Sequence, residues 1–146
     1  MQNIPSAVLD TNVVLDWMVF DNPVVRPLAE AIRAGRVQWL ACQRMRDELA
    51  HVLGRGVGGP PDAGSQALSC WDAHAQLRPL HAPGAGERLH CTDADDQVFI
   101  DFAVVFRVRW LLTRDRALLK LAKRARRWDV DVVTPERWIQ AFAAPA

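Results

Sequence analysis

"AVLDTNVV", residues 7–14, is an apolar run that breaks on an acid, a hydroxyl and an amide. Residues 6–10 have the length and bulk of a short buried strand. Two further runs share that character, "VQWLA" (37–41) and "RWLLT" (109–113), and a weaker one is "VDVVT" (130–134). Helical patterns lie between them: Pro23 to Ala34, stopped by Gly35; Gln43 to Leu53, stopped by Gly54; and Asp95 to Phe106. A C-terminal helix, "PERWIQAFAA", starts with Thr134 as N-cap and Pro135 in its first turn. Strands alternating with helices predict an α/β fold of three layers, α/β/α, around a central, mostly parallel sheet. Ligands gather beyond the carboxyl ends of such strands, so the break at Asp10, Thr11 and Asn12 marks the working rim.

The stretch "GRGVGGPPDAG" (54–64) reads as a loop leading into a helix from about Asp62 to Leu77, and "HAPGAGERL" (81–89) as a second loop. No repeat or composition shift divides residues 1–146, and a chain of this size, 50% apolar, suffices for one domain with one core. Cys42, Cys70 and Cys91 are odd in number and widely spaced, which argues against a disulfide framework or a zinc ribbon; they read as small buried hydrophobes. No apolar run reaches the length of a membrane span, and the N-terminus lacks a secretory pattern, so a cytoplasmic protein is expected. The formal charge is only +1, yet 10 of the 18 basic residues fall between Arg107 and Arg137.

Acids recur where strands end. Asp10 closes the first strand, and Asp115 stands two residues after "WLLT" and should reach the same rim from another strand. "DADD" (93–96) opens a helix, where the macrodipole favours negative charge, and Glu48 lies mid-helix in "RMRDELAHVL". Each has an ordinary reading: turn residue for Asp10 and Asp115, cap for Asp93 with Asp96 at N3, solvated face for Glu48. Convergence at one sheet edge has no such reading, because clustered carboxylates repel and need a proton or a cation. A hard divalent ion suits them, and in nucleases it activates water and stabilises the leaving oxygen of a phosphodiester.

Together "AVLDTNVVLDWMVF", "RMRDELAHVL", "TDADDQVFIDFAV" and "WLLTRDRALLKL" resemble, in order and spacing, the blocks of bacterial PIN-domain proteins, the ribonuclease fold of VapC-type toxins. The resemblance runs from about Ala7 to Phe142 and implies a PIN-like fold that cuts RNA with Mg²⁺ or Mn²⁺ as the toxin of a type II toxin–antitoxin system. It implies Asp10, Asp96 and Asp115 as metal ligands and Glu48 as a fourth catalytic acid. Thr11, Asn12 and Thr113 match small polar residues that orient the carboxylates, and Asp93 an outer acid. A homodimer and a small antitoxin partner are implied by the family alone. The chain departs from the pattern at Gln97, where a further Asp is frequent, and at Asp101 and Asp16, where small residues are common.

Other readings share single features. Haloacid-dehalogenase-type phosphatases need a second Asp two residues after the first, and Asn12 holds that place without being able to serve as a proton donor and acceptor. Response-regulator receivers need an acidic pair after the first strand, which is missing. Glu48 and His51 have the spacing of a di-iron helix, but such sites need two pairs. His90 and Cys91 lack a partner pair for a transition metal. A PIN-fold module that binds RNA or protein without cutting is the alternative from a different class, against which the retained acids argue. Arg114 and Arg116, beside Asp115, are the expected phosphate contacts; Lys120 follows them, and the distal four, Lys123, Arg124, Arg126 and Arg127, read as a solvated face. Trp39 and Trp110 should be buried in strands, and "WMVFDNPVV" (17–25), with Trp17, Met18 and Phe20, reads as a partner surface.

Overall fold

A computed structural model describes residues 3–81 and 89–142; most of the loop expected at 81–89, and the end of the C-terminal helix, lie outside the described residues. Strand β1 (Ser6–Leu9) runs at the centre of a five-stranded sheet of order β3-β2-β1-β4-β5, with β2 at Gln38–Ala41, β3 at Gln76–Leu77, β4 at Trp110–Leu112 and β5 at Asp131–Val133. All four pairings are parallel, so the sheet is wholly rather than mostly so. Ala7 is opposite Trp39 on one side and Trp110 on the other, and Leu9 is opposite Leu112. That register puts the ends of β1 and β4 level, and with them the residues that follow each strand.

Helix α1 (Thr11–Met18) follows β1 directly and α2 (Arg26–Arg33) returns the chain to β2. The helix expected from Pro23 starts instead as a single 3-10 turn, Pro23–Val25, because Asn22 caps Val24 N at 3.0 Å and Pro27 sits in the first turn of α2. Gly35 stops α2 with φ +75°, where it lets Gly35 N and Arg36 N reach back to Ile32 O and Ala31 O. Helix α3 (Gln43–Gly54) runs through the glycine expected to stop it and is capped at Arg55, and α4 (Ala63–His74) ends sooner than expected. The residues beyond it, Gln76 and Leu77, pair with Leu40 and Ala41 as the edge strand β3. Both are exposed, so no alternation of burial betrayed them in the sequence.

Helix α5 (Gln97–Val105) is buried continuously from Val98 to Val104, as its lack of a polar face dictates. The basic stretch spans two four-residue helices, α6 (Arg116–Leu119) and α7 (Ala122–Ala125), and the 3-10 turn Arg126–Trp128 after them; in α8 (Pro135–Phe142), Thr134 Oγ1 accepts from Arg137 N at 3.1 Å, as its expected N-cap should. Trp39 and Trp110 are buried, each against a second tryptophan: Trp39 against Trp71 and Trp110 against Trp138, both with centroids 5.6 Å apart. Trp17 corrects the partner surface proposed for residues 17–25. It is only 8% exposed and packs on Trp39 at 5.5 Å, while Met18 is half-buried, leaving Phe20 as the exposed apolar side chain of the three. Of the cysteines, only Cys42 is fully buried; Cys70 and Cys91 are half-buried, and all three are free thiols. No helix among the described residues is long and apolar enough to cross a membrane.

Candidate functional site

The site begins with the ladder. Asp10 N donates to Leu112 O at 3.0 Å, extending the β1–β4 pairing by one residue and fixing the Asp10 side chain at the carboxyl rim, where it is 3% exposed. Thr113, one residue past β4, is fully buried, and its Oγ1 donates to Asp10 Oδ2 at 2.7 Å while accepting from Asp115 N at 2.9 Å. One hydroxyl therefore sets both acids. Asp115 also caps α6, accepting from Ala117 N at 2.8 Å through Oδ1.

Asp96 reaches the same point from a third element. A 3-10 turn, Ala94–Asp96, precedes α5, and Asp93 caps it by accepting from Asp95 N at 3.0 Å, which leaves Asp93 and Asp95 exposed and turns Asp96 inward. One carboxylate oxygen each from Asp10, Asp96 and Asp115 lie within 4.8 Å of one another. Glu48 is outside that triplet. Half-buried on α3, it accepts from Thr11 Oγ1 at 2.5 Å, and its charge is still felt at Asp10.

Such crowding has an electrostatic consequence. Burial, opposed by the hydrogen bonds from Thr113 and Thr11 and reinforced by the charges of Asp115 and Glu48, raises the Asp10 pKa to about 6. Asp96 is pushed further, to about 8, by burial first and then by the neighbouring Asp115, Asp10 and Asp93 carboxyls. Its carboxyl lies within bonding reach of that of Asp115, two acceptors that can bond only when one carries a proton. When ionised, Asp96 Oδ2 is buried with no donor to satisfy it. An oxygen-lined cluster with an orphaned buried oxygen fits a hard divalent cation, which takes the place of the proton.

Asn12 is exposed in the first turn of α1. Arg114 is already engaged: Nε donates to Asp16 Oδ2 at 3.0 Å and Nη1 to both Glu136 oxygens, the nearer at 2.5 Å. The guanidinium thus ties α1 to α8 beside Asp115. Arg116 is exposed, as are Lys120, Lys123, Arg124, Arg126 and Arg127. Glu136 was missed in the sequence, where it reads as an ordinary first-turn acid.

Gln97 has a structural use. Its Nε2 donates to Leu89 O at 2.6 Å and Asp101 Oδ1 at 2.9 Å, and its Oε1 accepts from Cys91 N at 2.8 Å. An Asp at 97 would lack the donor this clamp needs, so Gln97 and the buried Asp101 act as a pair.

A family model described as PIN domain matches residues 6–117, a span that holds Asp10, Glu48, Asp96 and Asp115. No curated protein matches the chain. PIN domains are generally nucleases, typically with a bound divalent metal, and the parallel sheet with acids gathered at its carboxyl rim agrees with both. With the match covering most of its length, the chain belongs to the PIN domain family.

Proposed function

We propose that the protein is an endoribonuclease dependent on Mg²⁺ or Mn²⁺, acting in the cytoplasm as the toxin of a type II toxin–antitoxin system. The observation that carries the catalytic reading is the triplet of aspartate oxygens within 4.8 Å, one from an acid with an unsatisfied buried oxygen. Asp10, Asp96 and Asp115 would hold the cation. Bound there, it would offset the negative charge of the phosphodiester and acidify water. Thr113 keeps Asp10 and Asp115 in register for that task. Glu48, with Oε2 committed to Thr11, keeps Oε1 to accept the proton of the attacking water. Arg116 and the exposed basic residues of α6 and α7 would receive the RNA backbone, whereas Arg114 serves first to hold Asp16 and Glu136.

Incubation of RNA with the protein and Mn²⁺, with and without EDTA, tests this reading. Metal-dependent fragments are expected, and Asp10→Asn should abolish them while leaving the circular dichroism spectrum unchanged. An Asp10→Asn variant that cuts as fast as the parent refutes the assignment. RNA bound without cleavage would favour the non-cutting PIN module. Growth arrest on expression, relieved by a small adjacent gene product, tests the toxin role, and sedimentation tests the homodimer.

A further inference from the structure

A cavity of about 760 Å³ opens beside the aspartates on the β2–β3 side of the same rim. The two sites share walls. Helix α3 contributes Glu48 to the acids and, with its N-cap Cys42, Gln43 and Arg44 to the cavity; α5 and the turn before it contribute Asp96 to the acids and Ala94, Gln97 and Val98 to the cavity. Cys91, also on the wall, has its thiol pushed up by burial and by the charges of Asp96, Asp115 and Asp93, so the acids lie within electrostatic reach of it. The volume is that of a small-ligand site, for which about 300–1,000 Å³ is usual.

Lining chemistry narrows the occupant. Leu77, Pro79, Leu80 and Val98 supply apolar surface. Arg44, Arg78 and His90 supply cationic or flat polar groups; all three are exposed, and Arg44 forms no ion pair among the described residues. The one acid on the described wall, Asp101, accepts from Gln97. The N-cap of α3, Cys42, makes no side-chain hydrogen bond, so the first-turn N–H groups at Gln43 and Arg44 are left for a ligand. An apolar wall, planar guanidinium and imidazole groups and donors for an anion are what an unpaired nucleotide requires, its base stacking and its phosphate on the cations.

We propose that this cavity takes one unpaired nucleotide of the RNA strand whose neighbouring phosphate lies at Asp10, Asp96 and Asp115, making it the place where the enzyme selects its cutting site. Resting on the nuclease reading above, the proposal makes Arg44 and Leu77 selectivity residues outside the cation cluster. Leu77, half-exposed on the edge strand, can be enlarged without disturbing the core.

The test uses the full chain and its Leu77→Trp variant, with the four nucleoside 5′-monophosphates as probes and the methyl resonances of Leu80 and Val98 as readout. Millimolar mononucleotide should shift these resonances, with one base shifting them at severalfold lower concentration than the others. Inorganic phosphate alone should not, and Leu77→Trp should lose the response while binding Mn²⁺ as the parent does. In cleavage assays, an abasic residue at one position beside the cut should slow the parent at least tenfold and Leu77→Trp much less. Silent methyl groups with all four nucleotides, or an undiminished response in Leu77→Trp, overturn the proposal whatever the RNA assay shows. A normal nucleotide response with no metal-dependent cleavage keeps the pocket and overturns the nuclease reading instead.

Discussion

Thr113→Val removes one buried oxygen and nothing else of comparable size. Thr113 Oγ1 donates to Asp10 Oδ2 at 2.7 Å and accepts from Asp115 N at 2.9 Å, so the variant frees both acids from a common anchor. The bond to Asp10 involves a carboxylate, a class worth about 1.5–3 kcal/mol, and a buried N–H left without its acceptor costs about 1–3 kcal/mol. Loss of a group that orients metal ligands typically lowers affinity about 10–100-fold. Titration calorimetry with Mn²⁺ at neutral pH should therefore show Kd rising by about that factor, equivalent to roughly 1.4–2.7 kcal/mol. Thr113→Ser, which keeps the hydroxyl, should recover most of the affinity. A folded Thr113→Val protein that binds Mn²⁺ within threefold of the parent would show that this hydroxyl does not organise the acids, and the proposed role of Thr113 would fall.

Burial and like charge raise Asp10 to about 6 and Asp96 to about 8, against an unperturbed value of 3.8, so the metal-free fold holds protons that the unfolded chain has released. Their contribution to stability is fully present below pH 3.8 and is lost as pH rises through about 6 and then 8; the metal-free Tm should fall across that window, and Asp96→Asn should flatten the fall. Cation binding should strengthen over the same range and release protons, measurable as a buffer-dependent binding enthalpy. In contrast, Glu136→Gln breaks a partly exposed pair with Arg114, so urea denaturation should register a loss of no more than about 1 kcal/mol, with RNA cleavage changed less than twofold.

The first strand, the break at Asp10, the three longer strands and the helix stop at Gly35 were legible because each is a local signal: a buried run, a breaker, a cap; Gly54, expected to stop α3, lies inside its last turn. The convergence of Asp10 and Asp115 could be reasoned from strand ends alone, since a parallel register levels them. Resemblance, rather than periodicity, singled out Asp96 from Asp93 and Asp95; the structure supplies the cause, a capped 3-10 turn that turns only Asp96 inward. Strand β3 left no trace, being two exposed residues that owe their shape to β2. Trp17 misled because its neighbours are mixed in character, and only the tertiary packing of α1 on Trp39 decides its burial. Arg114 shows the same limit for charge: adjacency to Asp115 in sequence predicted a phosphate contact, but Asp16 and Glu136, 98 and 22 residues away, reach it first.

The anchoring hydroxyl of Thr113 and the carboxylate it holds are 103 positions apart in the chain. No early fragment emerging from a ribosome can own a complete cation pocket, since the central strand must wait for its neighbour β4 before Asp10 gains either of its companions from that side. Synthesis order thus delays assembly: the three aspartates cannot meet until the ribosome has passed Asp115.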